Sequence, residues 1–168
     1  MDTDITVIGA GVIGLSISYH FLQKGHKVIL LEKANDFGKG VSSRNTEVIH
    51  AGIYYAKNSL KASLCIEGNK LIYDFCNKYN IRHKKLGKIF IASTNSELSN
   101  LDLINKQAKI NGVKNLRILE QKELKIIEPQ VLCKAGLLSP TTGIIDSHNY
   151  MSVLLQLSEE LGLIFVKS

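Results

Sequence analysis

The chain has 168 residues, enough for one domain or for a domain and part of another. Hydrophobic residues make up 45% and charged residues 21%, which excludes fibrous and disordered classes. The formal charge of +6 comes mostly from scattered lysines; the cluster Arg82, Lys84, Lys85 and Lys88 reads as a solvated surface or a positive rim for an acidic substrate, and its lack of interleaved aromatics argues against nucleic-acid binding.

In chain order, residues 4–8 read as a short buried strand and residues 9–14 as a glycine-rich turn. Residues 12–24 have helical periodicity with Ile13, Ile17 and Phe21 on one face, and Gly25 closes that helix. Residues 27–31 form a second apolar strand ending at Glu32, which completes a right-handed β-turn-α-β unit. Residues 34–55 are polar and glycine-bearing, where a plain dinucleotide fold would place a helix and a third strand. Residues 59–79 read as a long helix with Leu60, Leu64, Leu71 and Phe75 on its apolar side. A change of pattern near residue 81 marks a domain boundary. Beyond it lie a strand at 88–92, a helix at 96–111 capped by Ser96 and stopped by Gly112, and a strand at 116–119. A short helix at 120–127 ends before Pro129, a strand follows at 134–139, and residues 140–143 turn. Residues 147–161 form a helix capped by Ser147 or Asp146, and residues 163–166 begin one more apolar strand.

Three cysteines, Cys65, Cys76 and Cys133, have no C-x-x-C spacing. That argues against a disulfide framework or a zinc site and for a reducing compartment. The acidic Asp2 and Asp4 and the glycines of the opening apolar run argue against a signal peptide. No run approaches the ~18 apolar residues of a transmembrane helix. The expected location is the cytoplasm, with peripheral membrane association left open.

Gly9, Gly11 and Gly14 spell G-x-G-x-x-G between a strand and a helix. The first glycine permits the tight turn, the second lets backbone approach a pyrophosphate, and the third lets helix and strand pack closely. The helix start at Val12 and Ile13 offers N–H groups and a positive dipole end to phosphates. Glu32, about 20 residues on, suits a carboxylate accepting hydrogen bonds from an adenosine ribose, and its charge disfavours a 2′-phosphate. These features fit FAD or NAD. Ser42, Ser43 and Arg44 could meet a diphosphate from the opposite side, while Ala51 and Gly52 would let backbone approach a flat ring near His50.

The chain resembles FAD-dependent oxidoreductases related to D-amino-acid oxidase, and within them the L-2-hydroxyglutarate dehydrogenase/oxidase branch. The resembling residues are Val7–Gly14, Leu31-Glu32-Lys33, Asn45 with 48–55, Gly87-Lys88-Ile89 and 142–146. The resemblance implies that Gly9, Gly11, Gly14, Glu32, Lys33, Ser42, Ser43, Arg44 and Asn45 line FAD. It implies that His50, Gly52 and Tyr54 lie near the isoalloxazine, and that a domain with a mixed sheet covering the substrate starts at Gly87. The implied fold is α/β: a Rossmann-like FAD-binding βαβ domain with an inserted α+β substrate-covering domain. Residues 1–80 would be the first part of the FAD domain, 81–145 the start of the cap, and 146–168 the return. The run Ser43-Arg44-Asn45 stands where that branch has Gly-His-Asn. Ser42-Ser43 followed by Ile49-His50-x-Gly52 also resembles glycerol-3-phosphate dehydrogenases.

The expected reaction oxidises a C–H bond beside a hydroxyl of a small 2-hydroxy acid, with hydride going to flavin. His50 either takes the hydroxyl proton or is a structural hydrogen-bonding group; a covalent flavin link is disfavoured. Tyr54 and Tyr55 either bind a substrate carboxylate or pack in the core. The electron acceptor is open between oxygen and a quinone. The competing readings are an NAD-dependent dehydrogenase, a flavoenzyme oxidising glycerol 3-phosphate or amino acids, and a non-catalytic subunit or inactive fragment. The resembled families are longer, so the chain reads as truncated, expected to fold poorly in isolation and to bind FAD weakly.

Overall fold

The computed structural model describes residues 2–168. In chain order its elements are β1 (Ile5–Ile8), α1 (Val12–Gln23), β2 (Val28–Glu32), β3 (Val48–Ile49), α2 (Leu60–Lys78), β4 (His83–Lys84), β5 (Lys88–Ala92), α3 (Asn95–Ile110), β6 (Arg117–Glu120), α4 (Gln121–Ile127), β7 (Ala135–Ser139), β8 (Gly143–Ile145), α5 (Ser147–Glu160) and β9 (Ile164–Lys167). They divide into two units. The first comprises Met1–Glu47, Tyr79–Arg82 and Ile145–Ser168; the second comprises Val48–Lys78 and His83–Ile144.

In the first unit β2 lies between β1 and β9 in a parallel sheet, with Val7 opposite Leu30 and Leu30 opposite Phe165. Pleating puts Ile5, Val7, Val28, Leu30 and Phe165 on one face. Helix α1 packs on β1 and β2, and α5 packs on α1. Leu15 and Leu30 are fully excluded from water, and each such burial contributes roughly 1.5–3 kcal/mol. The final strand expected at 163–166 is β9, and it joins the first two. Between β2 and β3 there is only a 3-10 turn at Val41–Ser43, so the helix a plain dinucleotide fold would show is missing among the described residues.

The buried face of α1 differs from the expected one. It consists of Gly14, Leu15, Ser18 and Leu22, while Ile13 and Ile17 are 70% and 41% exposed. Apolar residues surround this helix, and small Gly14 and Ser18 allow the closest approach of its neighbours. In α5, Asp146 rather than Ser147 is the cap: its carboxylate accepts the Asn149 N–H at 2.9 Å.

In the second unit β7 lies between β5 and β6, antiparallel to both. A mixed sheet is expected here, but β7 returns between two strands that both run opposite to it. Ala92, Leu101 and Leu137 form one buried cluster of this unit, and Leu119, Leu124 and Cys133 another. A second small sheet orders β3, β8 and β4, with β3 antiparallel to β8. Helix α2 buries Ala62, Tyr73 and Cys76, whereas the expected apolar side at Leu60, Leu64 and Leu71 is exposed. Helix α3 is capped by Thr94, not Ser96. Thr94 Oγ1 accepts the Glu97 N–H, and the Glu97 carboxylate accepts the Thr94 N–H, closing a reciprocal capping box.

Candidate functional site

The glycine turn of the first unit is built by three separate constraints. Gly9 has φ +98°, which a side chain strongly disfavours. A Cβ at Gly14 would collide with the Gly9 carbonyl oxygen, so the helix can begin that close to β1 only without one. A Cβ at Gly11 would press on Ser42 Oγ at 3.0 Å.

Glu32 and Ser42 clamp this turn. The Ala10 N–H donates to Glu32 Oε2 at 2.7 Å and the Ala34 N–H to Oε1 at 2.9 Å. These two backbone donors, Ala34 first and then Ala10, hold the Glu32 carboxyl below its ordinary pKa. The Val12 N–H at the start of α1 donates to Ser42 Oγ at 3.0 Å. The loop is drawn back to the turn by the Gly38 N–H, which donates to the Ala10 carbonyl at 2.9 Å. Ile8, Gly9, Gly11, Glu32, Lys33 and Ser42 thereby line a groove of about 500 Å³.

Three neighbouring residues act on the loop itself. Ser43 Oγ donates to the Gly40 carbonyl, Arg44 Nη1 to the Lys39 carbonyl, and Asn45 Nδ2 to the Ser42 carbonyl. Their side chains shape the segment that delivers Ser42. The Ile13 side chain is exposed, and its expected role at the cofactor belongs to its backbone N–H at the start of α1.

In the second unit His50, Gly52 and Tyr54 line one small recess with Tyr55, Lys88, Phe90 and Thr142. Asn69 Nδ2 donates to the carbonyls of His50 and Thr141 at 2.9 and 3.0 Å, which fixes the backbone under the imidazole. The His50 residue is open to solvent, yet partial desolvation is the leading cause lowering its pKa, followed by the charges of Lys88 and Lys61. Gly52 has φ +79°, and a Cβ there would press on Ile66 at 2.8 Å. Its smallness is thus required by the Ile66 side chain of helix α2. Tyr54 packs edge-on against Tyr55 and Phe90.

Sequence reading grouped Lys88 with a basic cluster, as solvated surface or a positive rim for an acidic substrate, without singling it out. Of the basic cluster, Arg82 pairs with Asp146 at 2.8 Å, Lys85 lies over the Tyr73 ring, and Lys88 reaches the His50 recess. The available signal was its place at the first residue of a strand, next to Gly87.

The parallel βαβ start, the glycine turn and its acidic clamp define a dinucleotide-binding oxidoreductase fold. The family model described as FAD dependent oxidoreductase (DAO) matches residues 4–168, and the chain belongs to that family, whose cofactor is FAD. It is 46% identical over 155 residues to a mitochondrial L-2-hydroxyglutarate dehydrogenase of Arabidopsis thaliana, covering 92% of this chain and 32% of that protein. It is 33% identical over 159 residues to the Homo sapiens protein of the same name, covering 94% and 34%. The chain therefore spans about a third of the length of these curated relatives. Among solved structures it matches the FAD-bound L-alpha-glycerophosphate oxidase of Mycoplasma pneumoniae with a TM-score of 0.90 at 26% identity, covering 99% of this chain and 45% of that one. An L-proline dehydrogenase from P. horikoshii shares the fold, with a TM-score of 0.86 at 20% identity over 99% and 44% of the two chains. Among the described residues, no helix is long and apolar enough to cross a membrane.

Proposed function

We propose that this chain contributes the adenosine-diphosphate grip and one wall of the active site of a flavoenzyme that oxidises a small 2-hydroxy acid resembling L-2-hydroxyglutarate. The observation that carries this reading is the groove where Gly9, Gly11, Glu32 and Ser42 converge. Its size and donor set fit the adenosine half of FAD. Glu32 keeps unused lone pairs after accepting two backbone N–H groups, and these would take the ribose hydroxyls. The α1 N-terminus, Ser42 and Lys33 would meet the diphosphate. Ser43, Arg44 and Asn45 would hold the loop against it. Residues 1–80 and 146–168 would serve the cofactor, with His50 and Tyr54 reaching the substrate as well, and 81–145 would cover the substrate.

FAD, when bound, supplies the two-electron acceptor. The neutral His50 imidazole takes the substrate's hydroxyl proton at its unprotonated ring nitrogen, as the C–H bond is oxidised and a 2-oxo acid forms. Tyr54 offers its hydroxyl to the substrate carboxylate. The substrate assignment draws on the names of the relatives at 33–46% identity. The electron acceptor would be oxygen or a quinone. A cytoplasmic setting fits the free thiols of Cys65, Cys76 and Cys133; the relatives' names specify mitochondria.

A second reading, oxidation of glycerol 3-phosphate, is favoured by the 26% identity to the glycerophosphate oxidase and by Ser42-Ser43. Anaerobic bleaching of the flavin by L-2-hydroxyglutarate, glycerol 3-phosphate and L-amino acids separates the two. Our reading expects L-2-hydroxyglutarate to reduce the flavin fastest; fastest reduction by either other class would overturn it.

A further inference from the structure

Lys88 opens β5, and its ammonium lies 4.7 Å from the Phe90 ring centre and 5.7 Å from that of Tyr54. Tyr54, Phe90 and Lys88 line the same recess as His50. Lys61, at the start of α2, sits 4.7 Å from the centre of the Tyr55 ring, which lines that recess too. Among the described residues no carboxylate lies within ion-pair distance of either ammonium. Aromatic faces hold such a cation in place while leaving its N–H donors unspent. The rim of this small recess therefore carries an imidazole, two tyrosine rings and a solvent-exposed ammonium that rests on aromatic faces, with no internal counter-ion among the described residues.

A 2-hydroxy monocarboxylate has one anionic group, beside the carbon that reacts. A 2-hydroxy dicarboxylate has a second, a few methylenes away. Burying that second carboxylate without a partner costs more than its methylenes return, so a site that prefers the diacid needs a dedicated cation.

We propose that Lys88 holds the distal carboxylate of a dicarboxylic 2-hydroxy acid, and so sets the preference for diacids over monoacids. This assignment rests on the reading of the recess as the substrate end of a flavoenzyme. Lys61 adds to the local positive potential from the Tyr55 side. Lys88 is a specificity-determining residue, because the hydroxyl proton and the reacting C–H bond belong to the other end of the substrate.

The test compares the unsubstituted protein with Lys88→Met, Lys88→Arg and Lys85→Met in two measurements. The first is binding of glutarate and of butyrate, followed by the NMR signals of the Tyr54 ring. The second is anaerobic flavin reduction in the FAD-loaded protein by L-2-hydroxyglutarate and by L-2-hydroxybutyrate. Loss of one charge-assisted contact lowers affinity roughly 10–100-fold. Lys88→Met is expected to lose that much for glutarate and for kcat/KM with L-2-hydroxyglutarate, while the monoacids change less than about threefold. Lys88→Arg keeps most of the diacid preference, and Lys85→Met, whose ammonium lies 4.3 Å from the Tyr73 ring centre, keeps all of it. Equal losses for diacid and monoacid, or no loss, would overturn the assignment. Glutarate binding that depends on Lys88, in a protein whose flavin no 2-hydroxy acid reduces, would support Lys88 as the diacid anchor and sink the proposed reaction instead.

Discussion

The imidazole of His50 illustrates how a single residue carries a testable claim. Partial desolvation, then Lys88 and then Lys61, lower its pKa below the ordinary value of about 6.5. Proton acceptance needs the neutral form, so flavin reduction should be flat near pH 7 and fall as pH drops through the depressed pKa. Lys88→Met removes the second of the three causes and should move this acid limb upward, without restoring it fully, because desolvation remains. A limb lying above pH 6.5 in the unsubstituted protein would exclude His50 as its source. The glycine turn makes a second residue-scale claim. Gly14→Ala drives a Cβ into the Gly9 carbonyl and should cost about 1–3 kcal/mol in urea denaturation. The turn was legible in the sequence because each glycine answers a separate geometric demand at a fixed spacing. Lys88 was legible only as one of a basic cluster, because the sequence does not separate a lysine resting on aromatic rings from its neighbours in solvent.

Elements were easier to locate than to orient. Strands and helices of four residues or more stand near their expected positions, since alternation and 3.6-residue periodicity mark them. β3, β4 and β8 are two or three residues long and carry no periodicity to read. The faces of α1 and α2 were misjudged for a physical reason: both helices carry apolar residues on more than one side, and in α1 the face that packs is the one bearing small Gly14 and Ser18. Ser18 shows the cost of that choice, with a fully buried hydroxyl oxygen of α1 lacking a hydrogen-bond partner. Ser18→Ala removes an unsatisfied group and improves helix propensity, so we expect about 0.5–1.5 kcal/mol of added stability, read as a higher Tm. Caps sort the other way. Thr94→Ala should cost about 1 kcal/mol and Ser96→Ala less than about 0.5 kcal/mol. Asp146 has its pKa lowered first by the Asn149 N–H and then by Arg82. Its stabilising contribution is present above the ordinary aspartate value of about 4 and fades as pH falls through the lower folded value. The destabilisation caused by Asp146→Ala should therefore be largest at neutral pH and shrink in acid.

Across the whole molecule, the parallel sheet of the first unit has two unequal faces. Thr6, Ile8, Ile29, Leu31, Ile164 and Val166 share the face opposite the buried one, and Ile8 is 86% exposed. Parallel sheets are ordinarily covered on both faces, so the 168-residue chain by itself should bind a hydrophobic dye such as ANS. Titration of the protein with FAD and with FMN, followed by flavin fluorescence, bears most directly on the central claim. FMN carries the same redox ring without the adenosine half. If Glu32, Ser42 and the glycine turn grip that half, FAD binds at least about tenfold tighter than FMN, and Glu32→Gln erases most of the difference. Equal affinity for the two flavins, unaltered by Glu32→Gln, would contradict it.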